Sequence, residues 1–283
     1  MPPRGAAGHG KPARTNNLTF HGGNPGVVKG RDLVYLIFWG SQWGNDTAAT
    51  DPSGEATILA NFFYSVGQSS WNNSVTQYCD GVAIGTVTCG THGEHAVNPT
   101  VILGGSWFDN GTAAPAHPTQ SQLAAEAVRG AEEFGNTFGG SNSNDTVQYV
   151  IATATGNNPS GFGSQYCAWH SWTSSIYGNI AYTNLPYITD AGAACGANFN
   201  GLGPNAGITI VAGHEFAETE TDIFPNGGWL DSQGAENADK CIWIGSGQGA
   251  SANVTMPNGS VFPVQSLWSN AFNGGKGGCV LSY

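Results

Sequence analysis

Charge is the first thing this chain lacks. Only 10% of its 283 residues are charged, less than half the share usual in soluble domains. Basic residues are scarcest: five of the eight (Arg4, Lys11, Arg14, Lys29 and Arg31) precede the first acidic residue, Asp32, leaving three against nineteen carboxylates. So acidic a body repels nucleic acid and anionic lipid, and neither is expected as a partner. No apolar run approaches the ~18 residues of a membrane-spanning helix. The sequence has no CxxC pair, no G-x-S-x-G elbow and no glycine-rich phosphate loop after a strand. Those absences argue against a zinc knuckle, a serine hydrolase and a nucleotide enzyme. Residues 1–20 also lack an apolar leader.

What is present points to a packed, extracellular protein. Apolar residues make up 40% of the chain and nine are Trp, too much apolar and aromatic surface to leave in water. Six cysteines without knuckle spacing read as three disulfides. Other pairings are open, but Cys79–Cys89, Cys167–Cys195 and Cys241–Cys279 close short or moderate loops and are favoured. Stable disulfides require an oxidising compartment, so a secreted protein is expected, with its leader removed ahead of Met1. Nothing suggests more than a monomer.

Residues 1–30, rich in Gly, Pro and basic side chains, read as a flexible tail. Residues 31–283 read as a single domain. Leu33–Trp39 is a continuous β-prone run, the pattern of a strand buried on both faces, and Val147–Thr153 is another. Helical spacing predicts helices over Ser53–Val66, Thr119–Phe134 (with Ser121 as cap) and Ala206–Thr221. Strand material is expected over Val75–Val87, Ile180–Ile188, Val254–Met256 and Val261–Val264. The whole suggests an α/β (α+β) fold: a mixed sheet, flanking helices and an irregular β-rich C-terminal part.

Chemistry concentrates in 208–222, Ile-Thr-Ile-Val-Ala-Gly-His-Glu-Phe-Ala-Glu-Thr-Glu-Thr-Asp. On a helix, His214, Glu218 and Asp222 fall within an arc of roughly 80°. Side chains at i and i+4 can reach one metal ion, and Glu215 can then act as general base on its water. The same stripe could equally be polar surface, as it is for most His-Glu dipeptides. His170, between Trp169 and Trp172, reads as a hydrogen-bonded core histidine or as a catalytic donor to a transition state. His92-Gly-Glu-His95 is a second, weaker chelate, more in keeping with an exposed loop.

The frame His214-Glu215-Phe216-Ala217-Glu218, followed by Thr221-Asp222, resembles the HExxH helix of the gluzincin zinc peptidases, with Glu218 in place of the second His. The resemblance implies zincin-like organisation and a metal held by His214, Glu218 and a downstream Glu, here Glu236. It also implies Glu215 as catalytic base and Asp239 as holder of the free His214 ring nitrogen, with Asp222 and Asp231 as spare carboxylates. A carboxylate at 218 weakens the Lewis acidity of the site, so Zn²⁺ is expected with Ca²⁺ as its competitor.

Most of residues 31–283 also resembles a group of secreted actinobacterial-type proteins. The resemblance rests on Tyr-Leu-Ile-Phe-Trp-Gly-Ser-Gln-Trp-Gly (35–44), Cys-Ala-Trp-His (167–170) and His-Glu-x-Ala-Glu, and on the ending from Gly-Gly-Trp-x-Asp through Lys240-Cys241 to Cys279. A more distant likeness to phosphate-induced, EXORDIUM-like plant cell-wall proteins rests on 212–241 and implies an extracellular location. The expected activity is metal-dependent hydrolysis of peptide bonds in a peptide or protein substrate. Two other classes stay open: a non-catalytic cell-wall or carbohydrate-binding protein with a structural Ca²⁺, and a metal-free acid hydrolase using a carboxylate dyad.

Overall fold

The computed structural model describes residues 1–5, 16–91, 93–138 and 144–283. Its centre is a five-stranded mixed sheet of β1 (Leu33–Trp39), β2 (Leu103–Asp109), β3 (Val147–Thr153), β4 (Trp169–Ser175) and β5 (Gly178–Leu185), in the order β2-β1-β3-β5-β4. The first four in that order run parallel, and β4 closes the edge antiparallel to β5.

Alternation along the strands divides the core. Val34, Leu36 and Phe38 of β1, with Val150 and Ala152 of β3, face helices α1 (Glu55–Ser65) and α3 (Ala206–Thr221). Ile37, Trp39, Tyr149 and Ile151 face α2 (Gln120–Glu133) on the other side. That two-sided burial is why β1 and β3 read as unbroken apolar runs. The cap of α2 is Thr119, not Ser121: its hydroxyl accepts from the Gln122 N–H, while the Gln122 side chain accepts from the Thr119 N–H.

Every residue of α3 is buried. Phe216 packs edge-on to Phe63 of α1, and the β-hairpin of β6 (Ala252–Thr255) and β7 (Val261–Val264) covers another side. Residues Ile188–Cys195 press so close to its first turn that a Cβ on Gly207 would lie 1.9 Å from the Cys195 carbonyl oxygen. On the sheet side, Gln148 of β3 donates to both Thr183 Oγ1 and Thr219 Oγ1 at 2.6 Å. A helix walled on all sides holds its side chains rigidly, which a preorganised site requires.

Several expectations are corrected. Residues 1–5 and 16–30 are not a free tail. Met1, Leu18, Phe20, Val27 and Val28 are buried, and Thr19–Phe20 pairs antiparallel with Trp229–Leu230. Residues 72–77 form a 3-10 helix, and only Cys79–Asp80 of the segment 75–87 is strand, paired with Glu94–His95. Strand β4 went unrecognised because Trp-His-Ser-Trp-Thr-Ser-Ser carries few apolar residues. The three bridges are Cys79–Cys89, Cys167–Cys195 and Cys241–Cys279, and there is no free cysteine. They are consistent with an oxidising compartment. Among the described residues, no helix is long and apolar enough to cross a membrane.

Candidate metal and catalytic site

The site forms where the C-terminal half of α3 meets the edge strand β4 and the segment 229–241. Strand alternation decides the first contact. His170 is the register partner of Thr183, and Thr183 faces α3 through Gln148, so His170 faces α3 as well. Its Nδ1 lies 3.4 Å from Glu215 Oε2 and 3.6 Å from Glu218 Oε2, and its Nε2 lies 3.4 Å from Glu236 Oε1. On the helix, His214 Nε2 stands 2.9 Å from Glu218 Oε1 and 3.6 Å from Asp239 Oδ1.

The downstream segment is docked onto α3 by its own hydrogen bonds. Asn237 Nδ2 donates to the Ala217 carbonyl at 2.9 Å, and the Asp239 N–H donates to Glu218 Oε1 at 3.0 Å. The reversal that permits this needs glycine at 228, where φ is +55° and a Cβ would fall 2.3 Å from the Thr221 carbonyl oxygen.

Gln265, which nothing in the sequence singled out, holds the other ring nitrogen of His214. Its side-chain nitrogen donates to the carbonyls of Ala238 and Ser266, so its Oε1 is left to accept from His214 Nδ1 at 3.1 Å. Asp239, expected in that role, instead lies on the Nε2 side. With Nδ1 donating to Gln265, Nε2 is the nitrogen that faces the two carboxylates, as an N–H donor in the imidazolium and as a lone pair in the neutral ring.

Six side chains thus converge: His170, His214, Glu215, Glu218, Glu236 and Asp239. They form two donor sets that share Glu218. One is His214, Glu218 and Asp239; the other is His170, Glu218 and Glu236, and within each set the ligand atoms lie within 4.8 Å of one another. The expected trio of His214, Glu218 and Glu236 is therefore distributed over both. His170 Nε2, His214 Nε2 and Glu236 Oε1 are buried without a hydrogen-bond partner. Imidazole nitrogens and carboxylate oxygens gathered out of water are groups that a cation could bridge in place of a proton, so these residues could hold a metal. One imidazole beside two carboxylates, as in each set, suits a transition metal such as Zn²⁺ better than Ca²⁺, which prefers oxygen alone. Glu236 and Asp239, with side chains 14% and 31% exposed, mark the solvent side.

The electrostatics reflect this crowding. Burial raises Glu218, and burial with the charges of Glu218, Asp222 and Asp239 pushes Glu236 well above the usual carboxylate range. Burial alone would lower both histidines. Glu215 and Glu218 outweigh it at His170, as Glu218 does at His214, and both are held above their ordinary value. Glu215 is the exception among the carboxyls. Burial opposes its charge, but the Met1 ammonium at 2.8 Å and His170 hold it below the ordinary range.

The spare carboxylates have structural partners. Asp222 accepts from the N–H groups of Asn226 and Gly227 and caps the turn after α3. Asp231 forms a buried ion pair with Lys240 at 2.8 Å. At the weaker chelate, His95 is engaged by the carbonyls of Thr76 and Gly90, and His92 lies outside the described residues.

Comparison with protein families, with characterised proteins and with solved structures finds no match for this chain.

Proposed function

We propose that this protein is a secreted, metal-dependent hydrolase of peptide bonds. The observation that supports the reading is the convergence of buried imidazole and carboxylate groups around Glu218, beside a second carboxylate, Glu215, that stays ionised. His214, Glu218 and Asp239 would hold the ion, with His170 and Glu236 as the adjoining set. A zinc-class ion so held would supply Lewis acidity and lower the pKa of a water molecule. Glu215, fixed on the buried helix, would accept a proton from the attacking water and return it to the departing amine. His170, outside the set of His214, Glu218 and Asp239, would donate to the developing oxyanion. Gln265 keeps His214 in the tautomer that exposes Nε2.

The test pairs metal analysis with activity on an unfolded protein substrate. Purified protein should carry close to one equivalent of a divalent transition metal and lose hydrolysis on chelation. Glu215→Gln should lose at least about a hundredfold in rate while keeping the metal, since a general base is not a ligand. Loss of metal in that variant would make Glu215 a ligand.

A metal-free acid hydrolase is the second reading, favoured by the closeness of the Glu218 and Glu236 carboxyls, both held towards their protonated forms. Activity untouched by chelators and confined to acid pH would select it.

A further inference from the structure

Glu218 stands between two donor sets, and its two oxygens are divided between them. Oε1 lies 2.9 Å from His214 Nε2 and accepts from the Asp239 N–H at 3.0 Å. Oε2 lies 3.6 Å from Nδ1 of His170, the histidine that β4 contributes. A carboxylate that turns one oxygen to each of two imidazoles is arranged to bridge two ions. The set left beside the ion assigned above, His170, Glu218 and Glu236, is complete in itself. It offers one imidazole and two carboxylates, with ligand atoms within 4.8 Å of one another.

The spacing inside that set suits a metal better than a proton. A charge-assisted hydrogen bond between imidazolium and carboxylate spans about 2.7–2.9 Å. His170 Nε2 and Glu236 Oε1 are 3.4 Å apart, and both atoms are buried without a hydrogen-bond partner. Two ligands each about 2.0–2.1 Å from a tetrahedral ion stand roughly 3.3–3.4 Å apart, close to the gap this pair leaves. The other ring nitrogen is engaged elsewhere: Nδ1 lies 3.4 Å from Glu215 Oε2. In the neutral ring that carboxylate takes the N–H and leaves the Nε2 lone pair for an ion. The ring is also held in place from outside, since His170 pairs with Thr183 in the sheet and its side chain is only 4% exposed. Glu236 gives the set its opening to solvent.

We propose that His170, Glu218 and Glu236 form a second metal site, joined to the first through Glu218, so that the protein takes up two ions of the zinc class side by side. The inference rests on the first metal site proposed above, and not on peptidase activity. Two cations sharing one carboxylate repel each other, so the second binds more weakly and fills when metal is supplied in excess. With it bound, His170 is a ligand, and the role of oxyanion donor belongs to the form holding one ion. Paired ions recur in hydrolytic centres, where they steady both oxygens of a displacement.

The test strips the full chain of metal with a chelator and titrates it with Zn²⁺ alone by calorimetry at neutral pH. Two sites per chain are expected, the second at least about tenfold weaker than the first. His170→Ala should abolish the second site and leave the first. Glu236→Ala should weaken the second by at least about tenfold, since losing a ligand costs no less than losing its outer partner. A single site in the parent protein overturns the proposal and leaves the one-ion reading standing; no site at all overturns both. Two sites that persist unchanged in both variants overturn it as well, because the second ion then binds elsewhere. Either substitution could disturb folding, so the parent protein gives an independent measurement. Saturated with Mn²⁺, it should show the electron paramagnetic resonance spectrum of two magnetically coupled ions. The spectrum of isolated ions at saturation overturns the proposal.

Discussion

Removing Lys240 should loosen the site from a distance, because a buried ion pair anchors the segment that carries Glu236 and Asp239. Lys240 Nζ lies 2.8 Å from Asp231 Oδ2, and both side chains are wholly buried. Lys240 also sits over the Trp268 ring at 4.5 Å, and Asp231 Oδ1 accepts from the N–H groups of Gln233 and Ala235. Deleting one member of such a pair strands the other charge, at a cost of about 3–5 kcal/mol. Lys240→Met should fall at the low end of that range, since Asp231 keeps its two backbone donors. Asp231→Ala should cost more, because it removes the carboxylate facing the ammonium and the acceptor of two N–H groups together. At roughly 2–4 °C per kcal/mol for a chain of this size, Lys240→Met should melt about 6–12 °C lower. The double variant Lys240→Met/Asp231→Leu should recover a large part of the loss, since no charge is then left buried alone. Urea unfolding of the four proteins gives the coupling energy, and metal content of the same samples reports on the site. The pair itself depends on pH. Lys240 and the two N–H groups outweigh burial and hold Asp231 below its ordinary value, so its contribution is intact above the usual Asp range and is lost as pH falls through the depressed pKa. A loss below about 1 kcal/mol for Lys240→Met, additive with that of Asp231→Ala, would refute the reasoning.

Three further outcomes are expected. Gln265→Leu should weaken metal binding about 10–100-fold by releasing the His214 tautomer, and competition with a chromogenic chelator that found no change would remove Gln265 from the site. Asp239→Ala should lower metal occupancy more than Glu236→Ala, because His214 and Glu218 form the closest donor pair; the reverse order would restore Glu236 as the third ligand. Glu55, buried and accepting from the Ile188 N–H, has its pKa raised by burial from 4.5 to about 8. The folded chain therefore keeps a proton that the unfolded chain has released, and stability falls as pH rises between those values, by up to about 1.4 kcal/mol per pH unit. Glu55→Gln should flatten that slope and gain most on the parent near pH 8; melting curves with parallel pH dependence in both proteins would rule this out.

What the sequence determined by itself is what local pattern and covalent chemistry can encode. The apolar runs at 33–39 and 147–153, the helical spacing at 53–66, 119–134 and 206–221, and the three neighbour disulfides are all read over short stretches of chain. The placing of His214, Glu215 and Glu218 on one helix was legible in the same way, through i to i+4 spacing. Tertiary structure decided which partners those residues meet. His170 reaches Glu215 because β4 is an edge strand whose alternation turns that position towards α3, although its polar composition hid the strand. Gln265 reaches His214 across 51 residues of sequence, and an amide in a short β-rich segment gives no signal of that contact. The first residues looked mobile from their Gly, Pro and basic content, yet their main-chain groups find partners on Ala168, Cys167 and Ala194. Side-chain composition governs what a segment can bury on its own, whereas a hydrogen bond between distant backbones exists only once the surfaces that frame it have packed.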